Sequence, residues 1–201
     1  MTEAVVVENI KHVIVLRFNR PAIKNPLSVE TIELLEKVVA DLESHTSIKT
    51  IIFTGSGDTF ASGANLNEIA ELNGNTARAF GQRGQRLMQK IYHSEKKTVA
   101  AIDGFCMGGA LDLALSCKHR IASSRSIFAH PGVNLGIMTG WSGTQILPRL
   151  IGEARALEMF LTAKRVDANE ALRINLIDKI SDNPLAESLA NFQAHSSSIG
   201  I

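Results

Sequence analysis

Apolar residues fall in short, sharply bounded runs, and the period within each run predicts its element. "AVVVE" (4–8) and "HVIVLRF" (12–18) are β-branched and nearly continuous, so they read as two strands paired across Asn9-Ile10-Lys11. Pro21 and Pro26 punctuate the next loop. Ser28 is then placed to cap a helix through about Leu42, with Ile32, Leu35, Val38, Val39 and Leu42 at three- and four-residue spacing. "TIIFTG" (50–55) predicts a buried strand that leads into a glycine-bearing loop, "SGDTFASGAN" (56–65). Residues 76–93 predict a helix with Phe80, Leu87 and Ile91 on one side. "TVAAIDG" (98–104) is a further strand, "GGALDLALS" (108–116) a helix, and "HRIAS" (119–123) and "SIFA" (126–129) two more strands. After the loop "HPGVNLGIMTGWSG" (130–143), helices are expected near 143–150, 153–162 and 168–174, and "LIDKI" (176–180) closes as a strand. Strands alternating with helices imply an α/β fold with mostly parallel pairing. The final stretch "ANFQAHSSSIGI" (190–201) turns polar and serine-rich and reads as a fraying tail.

Composition narrows the class. The chain has 201 residues, 45% of them hydrophobic, which suits one domain with a core of its own. Lys plus Arg is 21 against 20 for Asp plus Glu, so no basic excess points to nucleic acid. No apolar run is long enough to span a bilayer, and "MTEAVVVENI" lacks the basic lead of a signal peptide. Cys106 and Cys117 flank one predicted helix eleven residues apart. At the rise of a helix that is roughly 16 Å, too far for a disulfide. They lack metal-ligand spacing as well, so the expectation is a reduced cytoplasmic protein without a metal site, an organellar matrix fitting equally.

The glycine loops hold the candidate chemistry. "GSGDTF" (55–60) follows a strand but lacks the third glycine, the following helix and the distant acidic residue of a dinucleotide site. Neither a phosphate-binding Gly-x-x-x-x-Gly-Lys run nor a Gly-x-Ser-x-Gly elbow occurs, and Ser142 in "GWSGTQ" is read as a helix cap. "FASGANL" (60–66) and "CMGGALD" (106–112) are more informative together. Glycines at a strand-to-helix junction leave amide N–H groups uncovered, and two such donors aimed at one point can hold an oxygen that becomes negative during reaction. Asp112 lies one helical turn beyond Gly109, among Leu111, Leu113 and Ala114, a dry setting that raises a carboxylate's pKa.

"NRPAIKNPLS", "FASGANL", "AAIDGFCMGGALDLALSC", "IFAHPGVNLGI" and "GWSGTQILPRLIG" occur in the order and spacing of the enoyl-CoA hydratase/isomerase (crotonase) family, which the chain resembles over roughly residues 5–182. The resemblance implies a crotonase-like spiral of ββα turns over residues 1–182. The family's C-terminal helical region is largely missing, and 183–201 stand as a short polar tail. It also implies an acyl-CoA thioester as substrate, an enolate held by the amides of Ala64 and Gly109, and a homotrimer or hexamer. Ala64, Asn65, Leu66 and Asn67 would line the acyl-CoA site together with Gly109 and Gly132, and Lys24 matches a basic position near the CoA entrance. Asp112 matches the first of two family glutamates. The second should stand at Gly132 and is absent, which favours isomerase-type proton transfer with a single carboxylate. Decarboxylation or hydrolysis, ordinary hydration and a non-catalytic acyl-CoA-binding role are the alternatives. No cofactor is implied beyond the CoA of the substrate, with bicarbonate at the Gly132 position as a variant. His130 adjoins that position as a further acid/base candidate. Thr139 and Trp141 lie in a loop that shapes the acyl pocket in this reading.

Overall fold

A computed structural model describes residues 3–193. Strands β1 (Val5–Ile10) and β2 (Val13–Phe18) form an antiparallel hairpin, turned by Lys11 at φ 59°. Ser28 caps helix α1 (Val29–Ser44), its Oγ accepting from the Thr31 amide at 3.2 Å. Three turns of the chain then repeat one plan, in which a long strand is followed by a short one and then by helix. The first turn is β3 (Thr50–Thr54), β4 (Thr59–Ala61), α2 (Leu66–Ala70) and α3 (Gly74–His93). The second is β5 (Lys97–Ile102), β6 (Phe105–Met107) and α4 (Gly109–Ser116). The third is β7 (His119–Ala122), β8 (Ile127–Ala129), a 3₁₀ turn over Pro131–Leu135, α5 (Gly143–Ile151) and α6 (Glu153–Thr162). β9 (Val166–Asp167), α7 (Ala168–Arg173), β10 (Lys179–Ile180) and α8 (Pro184–Gln193) follow.

The longer strands and the two-residue β10 join one six-stranded sheet in the order β1-β2-β3-β5-β7-β10, parallel apart from the first pair. The short ones build a second sheet, β4-β6-β8-β9, parallel except where β9 closes it. This is the expected spiral of ββα turns. Period-two alternation explains why its strands are apolar almost throughout. Ile14, Leu16 and Phe18 of β2 face the main core, with Ile51 and Phe53 of β3. Val13, Val15, Ile52, Val99 and Ala101 face the other side of the same sheet.

That other side corrects the reading of the C-terminus. Where a polar tail was expected from residue 183, α8 packs Leu185, Leu189 and Phe192 onto the second apolar face. Three- and four-residue spacing gives this helix an apolar stripe despite its polar composition. Residues 194–201 of the expected tail lie outside the described residues. Two other differences share one cause. β4 lies inside the predicted loop 56–65, and β6 lies between a predicted strand and a predicted helix. Each is three residues long, too short to display a period. Both cysteines are free and buried, and among the described residues no helix is long and apolar enough to cross a membrane.

Candidate active site

The site begins with two loops held together by backbone. After β4, the Ser62 amide donates to the Lys24 carbonyl at 3.0 Å and the Leu27 amide to the Gly63 carbonyl at 2.8 Å. Gly63 adopts φ +95°, and a Cβ there would stand 2.6 Å from the Met107 carbonyl oxygen. Only glycine allows the loop to press this closely on the end of β6. Across from it, Gly108 turns at φ +52° and donates its amide to the Ala129 carbonyl at 2.9 Å, so that α4 starts at Gly109. The first amide of a helix has no intrahelical acceptor, and the helix dipole adds positive charge around it. The Ala64 nitrogen lies 3.5 Å from where a Gly109 Cβ would stand. The structure therefore brings together the two amides that the sequence paired.

They border an apolar cavity of about 280 Å³. One wall comes from α2 and α3 through Leu66, Ile69 and Phe80, and the opposite wall from the 131–141 segment through Leu135, Met138 and Trp141. Gly132 lines it too. Asn65 and Asn67 do not. The Asn65 side chain turns back to cap α2, accepting from the Asn67 amide at 3.1 Å. Lys24 borders an adjoining groove of about 360 Å³ with Arg165 and Asn134, which shares Ser62 and Pro131 with the cavity. Lys24 Nζ is paired there with Asp58 at 2.8 Å. That pairing holds the Asp58 carboxyl below its ordinary pKa.

Trp141 lines the cavity between α3 and α4. Its indole is wedged between two helices at glycines: a Cβ on Gly84 of α3 would overlap it, and one on Gly109 would come within 2.5 Å. Phe80 packs beside it with ring centroids 5.5 Å apart. Asp112 of α4 has no exposed surface and does not border the cavity. Its Oδ2 accepts a hydrogen bond from Thr139 Oγ1, and Thr139 does line the cavity. The carboxyl thus communicates with the cavity through one hydroxyl. Burial pushes its pKa up to about 7, against the pull of the Thr139 hydroxyl and the nearby Gly143 and Trp141 amides.

His130 ends β8 with 3% exposure, and its Nε2 lies 3.6 Å from Asp112 Oδ1. Burial lowers its pKa to about 4, so the ring is neutral near pH 7. Gly132 differs from the open position that a missing side chain suggests. A Cβ there would meet the Ile137 carbonyl oxygen at 2.7 Å, and the Ile137 amide donates to the Gly132 carbonyl at 3.0 Å. Glycine lets this turn close on itself. Ser142 also departs from expectation: it stands at the start of α5 at φ 144°, and its side chain makes no capping bond. Its Oγ lies 3.5 Å from Ser116 Oγ instead.

Ile69 and Arg165 were not singled out in the sequence. The first was legible, since Asn65 is a helix-capping residue and Leu66 and Ile69 are three apart. No pattern in the sequence places Arg165 beside Lys24, which precedes it by most of the chain.

An α/β spiral of two sheets, with two helix- and loop-borne amides beside an apolar cavity, is the crotonase-like architecture. The family model for enoyl-CoA hydratase/isomerase matches residues 8–192. A short-chain-enoyl-CoA hydratase of Clostridium acetobutylicum is 38% identical over 177 residues, spanning 88% of this chain and 68% of that protein. A crotonyl-CoA hydratase of Syntrophomonas wolfei is 38% identical over 179 residues, spanning 89% and 69%. Among solved structures, enoyl-CoA hydratase from Bacillus anthracis superposes with a TM-score of 0.89 at 31% identity, covering 96% of this chain and 76% of that one. The chain belongs to the enoyl-CoA hydratase/isomerase family.

Proposed function

We propose that the protein binds an acyl-CoA thioester with its carbonyl oxygen between the amides of Ala64 and Gly109, and that Asp112 moves a proton at the adjacent carbon in an isomerase-type reaction. The observation that carries this reading is a protonatable carboxyl hydrogen-bonded to Thr139, a residue lining the same cavity as Ala64 and Gly109. Removing a proton next to a thioester carbonyl puts charge on oxygen, and each preorganised amide there lowers the barrier by about 3 kcal/mol. The proton leaving carbon passes to Thr139 Oγ1 as the hydroxyl's own proton passes to Asp112 Oδ2. Return along the same path delivers it to a different carbon. A carboxyl with a pKa near the working pH suits both directions. The Lys24–Arg165 groove would take the phosphate-bearing part of CoA, with Asp58 releasing Lys24.

Hydration is the second reading, supported by the hydratase names of the two relatives. It needs water in the cavity beside the Thr139 hydroxyl and makes the same use of the amides. Decarboxylation or hydrolysis would use the amides with little demand on Asp112, and a non-catalytic binder would keep only the cavity. A bicarbonate-assisted reaction requires the 132–137 turn to open. Leu157 and Leu161 of α6 are 57% and 56% exposed, an apolar pair that assembly as a homotrimer or hexamer would cover.

Incubating the protein separately with 3-enoyl- and 2-enoyl-CoA thioesters tests the reading. Conversion of the 3-enoyl thioester to its conjugated isomer, without formation of a hydroxyacyl product from the 2-enoyl thioester, is the result expected. Hydroxyacyl product would replace it with hydration. Saturable binding without either product would leave a binder.

A further inference from the structure

Three buried polar atoms without a hydrogen-bond partner lie together in this fold: Asp112 Oδ1 and both ring nitrogens of His130. Burying polar atoms unpaired costs stability, so such a group calls for an explanation. Nε2 and Oδ1 face each other at 3.6 Å, a few tenths of an ångström beyond an ordinary hydrogen bond. Hydrogen bonds that serve catalysis are commonly long in the empty site and tighten once substrate is bound.

Orientation restricts what His130 can do. Its ring is set by Phe160 of α6, with centroids 5.1 Å apart, and by its place between β8 and Pro131. It does not border the cavity, so it acts on substrate only through Asp112. The backbone amides of Gly143 and Trp141 also face the Asp112 carboxyl. Among the described residues, the one ion-pair contact of either side chain is with the other. Besides His130, the titratable group that feels the Asp112 charge is Cys106 of β6, a thiol that burial keeps protonated. A neutral imidazole with its proton on Nε2 would donate to Oδ1 whether Oδ2 carries a proton or not. One tautomer therefore serves both states of the carboxyl, and no proton need pass to the histidine.

We propose that His130 is the positioning residue of Asp112: as a neutral Nε2–H donor it holds Oδ1, fixes the carboxyl toward Thr139 and keeps the carboxylate form accessible. This rests on the reading of Asp112 as the proton-moving group and supplies the support that position 132, a glycine, does not. It makes the functional unit a chain of three side chains, His130–Asp112–Thr139, from interior to cavity.

Two measurements decide it. The first is ¹⁵N NMR of the ring of His130 in the substrate-free protein, in the wild type and in Asp112→Asn. The proposal expects the Nε2–H tautomer from pH 6 to 8, with a shift that changes as Asp112 titrates and loses that change in Asp112→Asn. An Nδ1–H tautomer, or shifts indifferent to position 112, overturns the proposal even if the enzyme proves active. The second is the pH profile of proton exchange next to the thioester carbonyl. His130→Leu should move the limb belonging to the carboxyl upward by about one pH unit, and His130→Gln, whose amide can donate from the Nε2 position, should restore most of it. A limb unmoved in folded His130→Leu overturns the positioning role. Absence of exchange in the wild type would count against the proposed function instead, and the NMR result would still decide the pairing.

Discussion

Segments 62–64 and 107–109 are pinned by main-chain contacts and by glycines that permit close approach, whereas segment 130–142 owes its chemistry to side chains that other elements bury. On the first side, the amide of Ala64 needs no particular side chain, and the identities that matter are Gly63, Gly108 and Gly109. On the second, burial raises the Asp112 pKa against the pull of Thr139, and the neighbouring Trp141 indole fits only because positions 84 and 109 lack a Cβ. In the proposed reaction, backbone holds the place where charge would develop, and packing sets the proton affinity of the group that would move the proton. The first kind of site fails when geometry is broken. The second also answers to pH.

The largest effect should come from breaking the backbone side. Gly63→Ala forces a Cβ against the Met107 carbonyl at a positive φ. On the proposed reaction, turnover should fall by about 10²–10³-fold through displacement of the Ala64 amide. Steady-state kinetics on protein shown by circular dichroism to be folded would check this. Near-normal turnover would remove that amide from the account.

Next in size is Asp112→Asn. It should lower proton transfer by about 10²-fold or more while leaving acyl-CoA affinity within a few-fold, because Asp112 does not border the cavity. Isothermal titration beside the rate assay separates the two.

The same carboxyl and its neighbour predict opposed pH effects on stability. Asp112 holds its proton to about pH 7 in the fold but ionises near its ordinary 3.8 when unfolded. The folded state binds more protons across that window, and stability from this group is lost as pH rises through it. His130 is the reverse, with about 4 in the fold against an ordinary 6.5. The unfolded state then binds more protons, and stability is lost as pH falls from 6.5 toward 4. The two slopes offset each other in the wild type. Asp112→Asn should leave a protein that weakens on acidification, by at most about 1.4 kcal/mol per pH unit, and His130→Leu one that weakens as pH rises. Urea unfolding at several pH values checks the signs, and parallel profiles for the two variants would contradict them.

The smallest effect is expected at the rim. Lys24 is half exposed and already paired with Asp58, so Lys24→Ala should weaken acyl-CoA binding by only a few-fold. The loss should shrink as salt is raised.

The same contrast governs what could be read from the chain. The hairpin of β1 and β2, helix α1 and the long parallel strands were legible because each carries a full period of apolar residues. The glycine loops at 60–66 and 106–112 were legible as candidate chemistry only as a pair and through the family resemblance, because either alone reads as a tight turn with close packing. The three-residue strands β4 and β6 escaped, as did α8, whose apolar stripe is sparse. What the sequence could not display is burial imposed from a distance. Position 112 reads as a helix aspartate among leucines, but its link to a cavity-lining residue depends on Thr139 arriving from a later loop. Gly132 illustrates the same limit, since a missing side chain suggests open space and the Ile137 backbone occupies it.

Deuterium uptake at the carbon next to the thioester carbonyl tests the central claim most directly. It would be followed by NMR in heavy water with saturated and 3-enoyl-CoA thioesters, for the wild type and Asp112→Asn, with binding measured in parallel. The account predicts exchange in the wild type that is lost in the variant at equal occupancy. Exchange that survives in Asp112→Asn, or its absence from a wild type shown to bind the thioester, would contradict it.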